Sequence, residues 1–218
     1  MGQCVSAILN CLQKKGGEPS ETELANVAAE KAKLMGIDAN MSAPGIQIWE
    51  NTMCKGSGLA LVGVPVEQDA AYWEWHILLD EGYDNSQDDD QEAGGKYPVK
   101  VGVSTEKNKD FYQMLQAGDD GEDKIDDDGT KFMHGITNLK EDMVIGVAVQ
   151  YSDLPMIQFF INGEYYESIN RFRGTVYPSI YLRGCDGVSA RLVVGENGLR
   201  HKPPSGKYGP LMMASRLV

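Results

Sequence analysis

Catalysis by this chain would have to come from three histidines, His76, His134 and His201, and a few well-placed acids. None of them stands in a catalytic pattern. There is no H-E-x-x-H for a zinc hydrolase, no G-x-S-x-G nucleophile elbow and no G-x-G-x-x-G after a strand. The stretch G-S-G-L-A-L at 56–61 lacks the lysine with which a phosphate loop holds its anion. His134 follows the run Asp126–Asp128. A histidine at a strand edge beside a solvated loop explains that placement better than a His–Asp pair. Cys185, in R-G-C-D-G, has no base beside it and reads as a turn residue rather than a nucleophile. Glu74 is the only acid inside a predicted central strand, whereas a retaining glycosidase needs two carboxylates about 5 Å apart. The expectation is a protein that is not an enzyme and that carries no cofactor.

The chemistry that does have a pattern is at the start. M-G-Q-C-V-S fits the N-myristoylation signature, with Gly2 as the acylated residue and Ser6 as its hydroxyl. One acyl chain holds a membrane only marginally, so a stable anchor takes a second signal. Cys4 and Cys11 are placed to take palmitoyl groups. Val5, Ile8, Leu9 and Leu12 fall at helical spacing, and Lys14 and Lys15 suit an anionic lipid surface. The alternative is a short amphipathic helix that docks on its own domain. A secretory signal is excluded, because the basic residues follow the apolar run and Ser6, Asn10 and Cys11 interrupt it. No stretch of about 18 apolar residues is present to span a membrane.

Charge narrows the partners. The formal net charge is −12. Residues 80–95 hold seven acids and no base, and residues 117–130 hold seven acids and one lysine. These two stretches sum to −13, so by difference from −12 the remaining chain sums to about +1. A near-neutral body with two acidic loops offers no basic face for phosphates, which excludes nucleic acid. The second loop fits no EF-hand frame: with Gly129 or Gly121 at position 6, position 1 is Lys124 or Gln116. Solvated, mutually repelling loops are the simpler reading, and no metal site is assigned. Asp88, Asp89, Asp90, Asp126, Asp127 and Asp128 become candidates for meeting a basic partner. Four cysteines without regular spacing give neither a disulfide framework nor a zinc signature and suit a reducing, cytoplasmic setting.

The elements that must carry these loops are mostly strands. A linker at 13–20 precedes a capping box, Ser20 and Glu23, and a helix expected over 21–35 with Gly36 as its stop. The period then changes. GIQIWE, GLALVGV, AYWEWHILL, YPVKVGVS, MVIGVAVQ, MIQFFING, TVYPSIYL and VSARLVV are short, β-branched or aromatic, and mostly divided by Gly, Pro, Asn or Asp. Trp73, Trp75 and Ile77 alternate with Tyr72, Glu74 and His76, so each set shares one face. Asn162-Gly163 tolerates positive φ at both positions and marks a hairpin turn. About eight strands without a βαβ rhythm predict an antiparallel β-sandwich. Trp49, Tyr72 and Phe172, near strand ends, are candidate aromatic anchors for a partner, although core packing accounts for most aromatics at strand spacing.

In order along the chain, G-x-G-x-A-L ahead of YWEWHI, YPVKVGVST, DDGTKFMHG, EDMVIGVAVQ…IQFFINGE and GTVYPSIYL resemble the motifs of SPRY domains over residues 45–195. The strongest is Met143–Gly163. Glu141-Asp142-Met143 departs slightly from the usual acidic residue followed by glycine or valine. The resemblance implies an all-β, antiparallel, bent sandwich of the SPRY (concanavalin-like) type. It also implies a non-catalytic adaptor that recognises a protein or peptide through loops at one end. The organisation is then a tail at 1–17, a short helical extension and linker at 18–44, the sandwich at 45–195, and a C-terminal extension at 196–218 packing on it. The acidic inserts are longer than the resemblance needs. Two other roles stay open: a structural subunit that docks through its tail, and a carbohydrate-binding sandwich using Trp73 and Trp75.

Overall fold

A computed structural model describes residues 22, 35–83, 97–104, 132–183 and 187–212. The helix expected over 21–35, the tail and both acidic runs therefore lie wholly or mostly outside the described residues. The strands are β1 (Ile46–Trp49), β2 (Met53–Leu61), β3 (Ala70–Leu79), β4 (Val99–Ser104), β5 (Met133–Ile136), β6 (Val144–Gln150), β7 (Met156–Ile161), β8 (Glu164–Asn170), β9 (Tyr177–Arg183), β10 (Val188–Val193) and β11 (Gly209–Pro210). All pair antiparallel except β11, which lies parallel to β3. Among the described residues no helix is long and apolar enough to cross a membrane.

Two sheets share β2. Its first residues, Met53–Lys55, pair with β1 and β10 in the sheet that continues β3-β6-β7-β8. Its last residues, Ser57–Leu61, pair with β9 in the sheet β5-β4-β9. The strand turns this corner at Gly56 and Gly58, whose φ angles are 109° and 124°. A Cβ on Gly56 would lie 2.2 Å from the carbonyl oxygen of Gly45, so the corner excludes any side chain there. The glycines of G-S-G-L-A-L are thus a bend between sheets.

The core fills the space between the sheets. Trp73, Trp75, Ile77, Ile145, Val147, Val149, Ile157 and Phe159 meet Ala60, Val62, Val99, Val101, Val103, Ile136, Ile180 and Leu182. The alternation read in AYWEWHI is realised: Trp73, Trp75 and Ile77 face this core. The Asn162-Gly163 turn has φ of 51° and 84° and joins β7 to β8. Three strands lack a clear signal in the residues. β5 is four residues with a glycine, β8 is largely exposed, and β11 is Gly-Pro.

Candidate recognition surface

The other face of β3 is also buried, by different means. Glu74 is 0% exposed in the middle of a sheet. Its carboxylate accepts hydrogen bonds from Tyr72 Oη at 3.2 Å and from the backbone N–H groups of Arg200 and His201, each at 2.8 Å. His76 Nε2 lies 2.8 Å from Glu74 Oε2. Burial alone would raise the Glu74 carboxyl; the bonds from His76 and the two backbone amides outweigh it and hold the group below the ordinary carboxylate range. Tyr72 is pushed upward by burial and by the neighbouring Glu74 charge. A Cβ at Gly146 would come within 2.4 Å of the Tyr72 hydroxyl, which explains a glycine inside the apolar strand MVIGVAV.

The chain itself covers this face. β10 pairs with β3 only as far as Val193 opposite Glu74. Beyond that point the chain leaves the sheet, passes a 3-10 turn at Glu196–Gly198, lays its amides on Glu74, and returns as β11 beside Ala71 and Tyr72. The His201 ring sits over the β7–β8 turn, where a Cβ on Gly163 would approach it to 2.7 Å. Tyr208 packs with Tyr72, Ala148 and Phe160, and its hydroxyl lies 3.0 Å from Gln158 Oε1 and 3.3 Å from Gln150 Oε1. Gln68 holds the returning backbone at two points. Its Nε2 donates to Pro210 O at 2.9 Å, and its Oε1 accepts from Met212 N at 2.7 Å.

Open apolar surface gathers elsewhere, on β8. Tyr165 and Tyr166 are 58% and 45% exposed, between the exposed Glu164 and Glu167. The register slips between Phe159 and Phe160, leaving Tyr166 without a partner on β7. This bulge re-aims Tyr166. Its ring meets His134 of β5 edge-on at 5.1 Å, so the outer strands of the two sheets approach each other there. His134 also stacks on Phe159 at 5.5 Å. Burial lowers its pKa against the opposing pull of Glu167.

The residues singled out by type and spacing fall in several places. Gly2, Cys4, Cys11, Cys185, Asp88, Asp89, Asp90, Asp126, Asp127 and Asp128 lie outside the described residues. Trp49 ends β1 half-buried. Tyr72 and Phe172 are each 1% exposed and offer no ring face to a partner. Phe172 instead packs edge-on against Phe132 and Tyr151. Glu74, the one acid in a central strand, is sealed under the C-terminal segment, where no sugar reaches it. Trp73 and Trp75 are equally buried and present no stacking face. Cys54 is fully buried, which pushes its thiol up to about 12. Among the described residues, no group of three or more His, Cys, Asp or Glu side chains is placed to hold a metal ion. Tyr165, Tyr166, Gln68 and Tyr208 escaped sequence reasoning. E-Y-Y-E after an Asn-Gly turn was the one available hint.

No family model and no curated protein matches the chain. Among solved structures it is similar to the SPRY domain of human HERC1, at 15% identity and a TM-score of 0.46, over 72% of this chain and 97% of that one. It is similar to the Drosophila melanogaster neuralized NHR1 domain at 11% identity and a TM-score of 0.47, over 72% and 96%. A human SPRY domain is matched at 13% identity and a TM-score of 0.41, over 68% and 94%.

Proposed function

We propose that this chain is a non-catalytic recognition module of the SPRY type, held at the cytosolic face of a membrane by an acylated N-terminus and binding a protein or peptide partner. The observation that carries recognition is the exposed edge strand β8. Two tyrosines stand open between two glutamates. Exposed aromatic rings at a polar rim are the side chains that dominate protein interfaces. The acids beside them favour a basic segment, as do the acidic runs around Asp88–Asp90 and Asp126–Asp128. Within the family, LMGID and the C-terminal RFRGTVYPSIYL and HKPPSGKYGPL most resemble SPRY domain-containing protein 7.

The tether rests on Gly2, Ser6, Cys4 and Cys11. Full-length protein and Gly2→Ala are expressed in cells with an alkyne-tagged myristate, then fractionated. Label that requires Gly2, with the wild type in the membrane pellet, supports the tether. Absence of label with both forms soluble overturns it and turns the tail into a docking helix of a structural subunit. For recognition, a photo-crosslinking residue at Tyr165 is expected to capture one discrete protein. Loss of that adduct in Tyr166→Ala or at high salt supports the edge. An adduct unchanged by either overturns it.

A further inference from the structure

Residues 205–212 are bound to this molecule in the way a peptide ligand is bound. Where β10 departs at Val193, the edge of β3 at Ala71 and Tyr72 is left open, and β11 fills this notch by two-residue parallel pairing. Gln68 grips main-chain groups on both sides of Leu211, a contact indifferent to the side chains it holds. Two anchors supply selectivity. Tyr208 enters the pocket of Tyr72, Ala148 and Phe160, and Leu211 is buried at the margin of the main core. Strand addition, an amide clamp and two apolar anchors three residues apart are the components of recognition by β-augmentation. The bridge to this segment, Lys202–Lys207, is nearly all exposed, and its Lys207 ammonium reaches Gln150 Oε1.

We propose that this notch is a peptide-binding site whose resident occupant is the chain's own Tyr208–Leu211. The partner it accepts in its place is an extended protein segment carrying tyrosine, then Gly-Pro, then an aliphatic residue. The resident segment is thus an autoinhibitory strap. Tyrosine fits the pocket because its ring meets three apolar or aromatic neighbours while its hydroxyl reaches Gln158 and Gln150. Proline fits the next position but one because the groove asks its carbonyl, and not an N–H, to bond Gln68. The site lies on a different face from the Tyr166–His134 contact, its wall Phe160 meets Tyr165 edge-on at 6.0 Å, and it does not depend on the membrane tether.

The test uses the full chain with a protease site inserted between the exposed Ser205 and Gly206. The folded protein is cut, the strap is removed by dilution and gel filtration, and a fluorescent peptide Gly206–Met212 is titrated back. The expected result is a body that keeps its buried-tryptophan fluorescence and rebinds the peptide, with the Tyr208→Ala peptide weaker by about thirty-fold. Equal binding of a scrambled peptide overturns the proposal. So does elution of the cut protein as a strap-exchanged dimer, which assigns the notch to a second copy. Should the cut body unfold, hydrogen exchange in the intact chain decides. Gly209 and Met212 amides exchanging well ahead of Val147 in β6 keep the strap a separable ligand. Exchange of all three at one common rate makes it core and ends the idea.

Discussion

The two faces of β3 are buried to the same degree and held by opposite physics. Trp73, Trp75 and Ile77 face a dry core drawn from both sheets. The indole N–H groups of Trp73 and Trp75 find no acceptor there among the described residues. Tyr72, Glu74 and His76 face a polar cluster closed by a segment from the other end of the chain. The inner face gains from apolar area and shape, which are non-directional and accrue when the whole domain folds. The outer face gains from a few charge-assisted hydrogen bonds, which are directional and depend on one strap staying in place. Damage to the inner face should therefore lower global stability. Damage to the outer face should loosen the strap and leave the sandwich intact.

The largest expected effect tests the inner half of this contrast. Trp75→Ala removes a fully buried indole and should cost about 3–5 kcal/mol of unfolding free energy, read in urea titration, with exchange accelerated throughout β3, β6 and β10. An effect confined to the strap would dissolve the distinction between the faces.

Glu74→Gln tests the outer half. The amide has the shape of the carboxylate but not its charge. Its NH₂ meets donors from Tyr72, His76, Arg200 or His201 where an acceptor is needed. Losing about 2 kcal/mol of charge-assisted bonding should raise exchange at the His201, Gly209 and Met212 amides on the order of thirty-fold, with Val147 unchanged. The same carboxylate sets a pH dependence. Its pKa is lowered in the folded state, so its contribution is full above the unfolded value of 4.5 and is lost as pH falls through the folded value. Strap protection in the wild type, taken relative to the intrinsic exchange rate at each pH, should fall below about pH 4.5, and Glu74→Gln should flatten that acid limb. A strap indifferent to acid would remove Glu74 as its latch.

Tyr208→Phe is milder. The ring keeps its pocket and only the bond to Gln158 or Gln150 is lost, a cost of about 1 kcal/mol in strap closure. If the change equals that of Tyr208→Ala, the hydroxyl and not the ring is the anchor.

The same contrast explains what could be read without coordinates. All eight segments with alternating or continuous apolar residues became strands, because burial against a sheet leaves a period of two in the residues themselves. The Asn-Gly turn was legible for a similar reason: positive φ restricts residue type. β8 and β11 were not legible, since one exposes most of its side chains and the other is a Gly-Pro recruited by an open edge far away in sequence. Tyr72, a candidate anchor by type and position, is buried, because a strand-end aromatic looks the same in sequence whether solvent or a distant strap covers it. Glu74 drew attention as a lone acid in a strand. Its partners could not be inferred, for two are backbone amides, and a backbone amide has no sequence signature.

That last point yields the smallest and sharpest expectation. Arg200 touches both regimes. Its N–H donates to buried Glu74 at 2.8 Å, while its guanidinium pairs with Asp142 at 3.2 Å on the surface, with both side chains widely exposed. Surface pairs contribute roughly 0–1 kcal/mol because water and salt screen them and two long side chains lose freedom. Arg200→Ala keeps the buried bond and should change strap exchange by less than about three-fold, with no added effect in Asp142→Asn. Arg200→Pro keeps an extended backbone, which Leu199 already adopts at ψ 131°, but deletes the donor. It should match Glu74→Gln in loosening the strap. If Ala loosens the strap as much as Pro does, the arginine side chain carries the latch, and the outer face of β3 is held from the surface and not from its buried carboxylate.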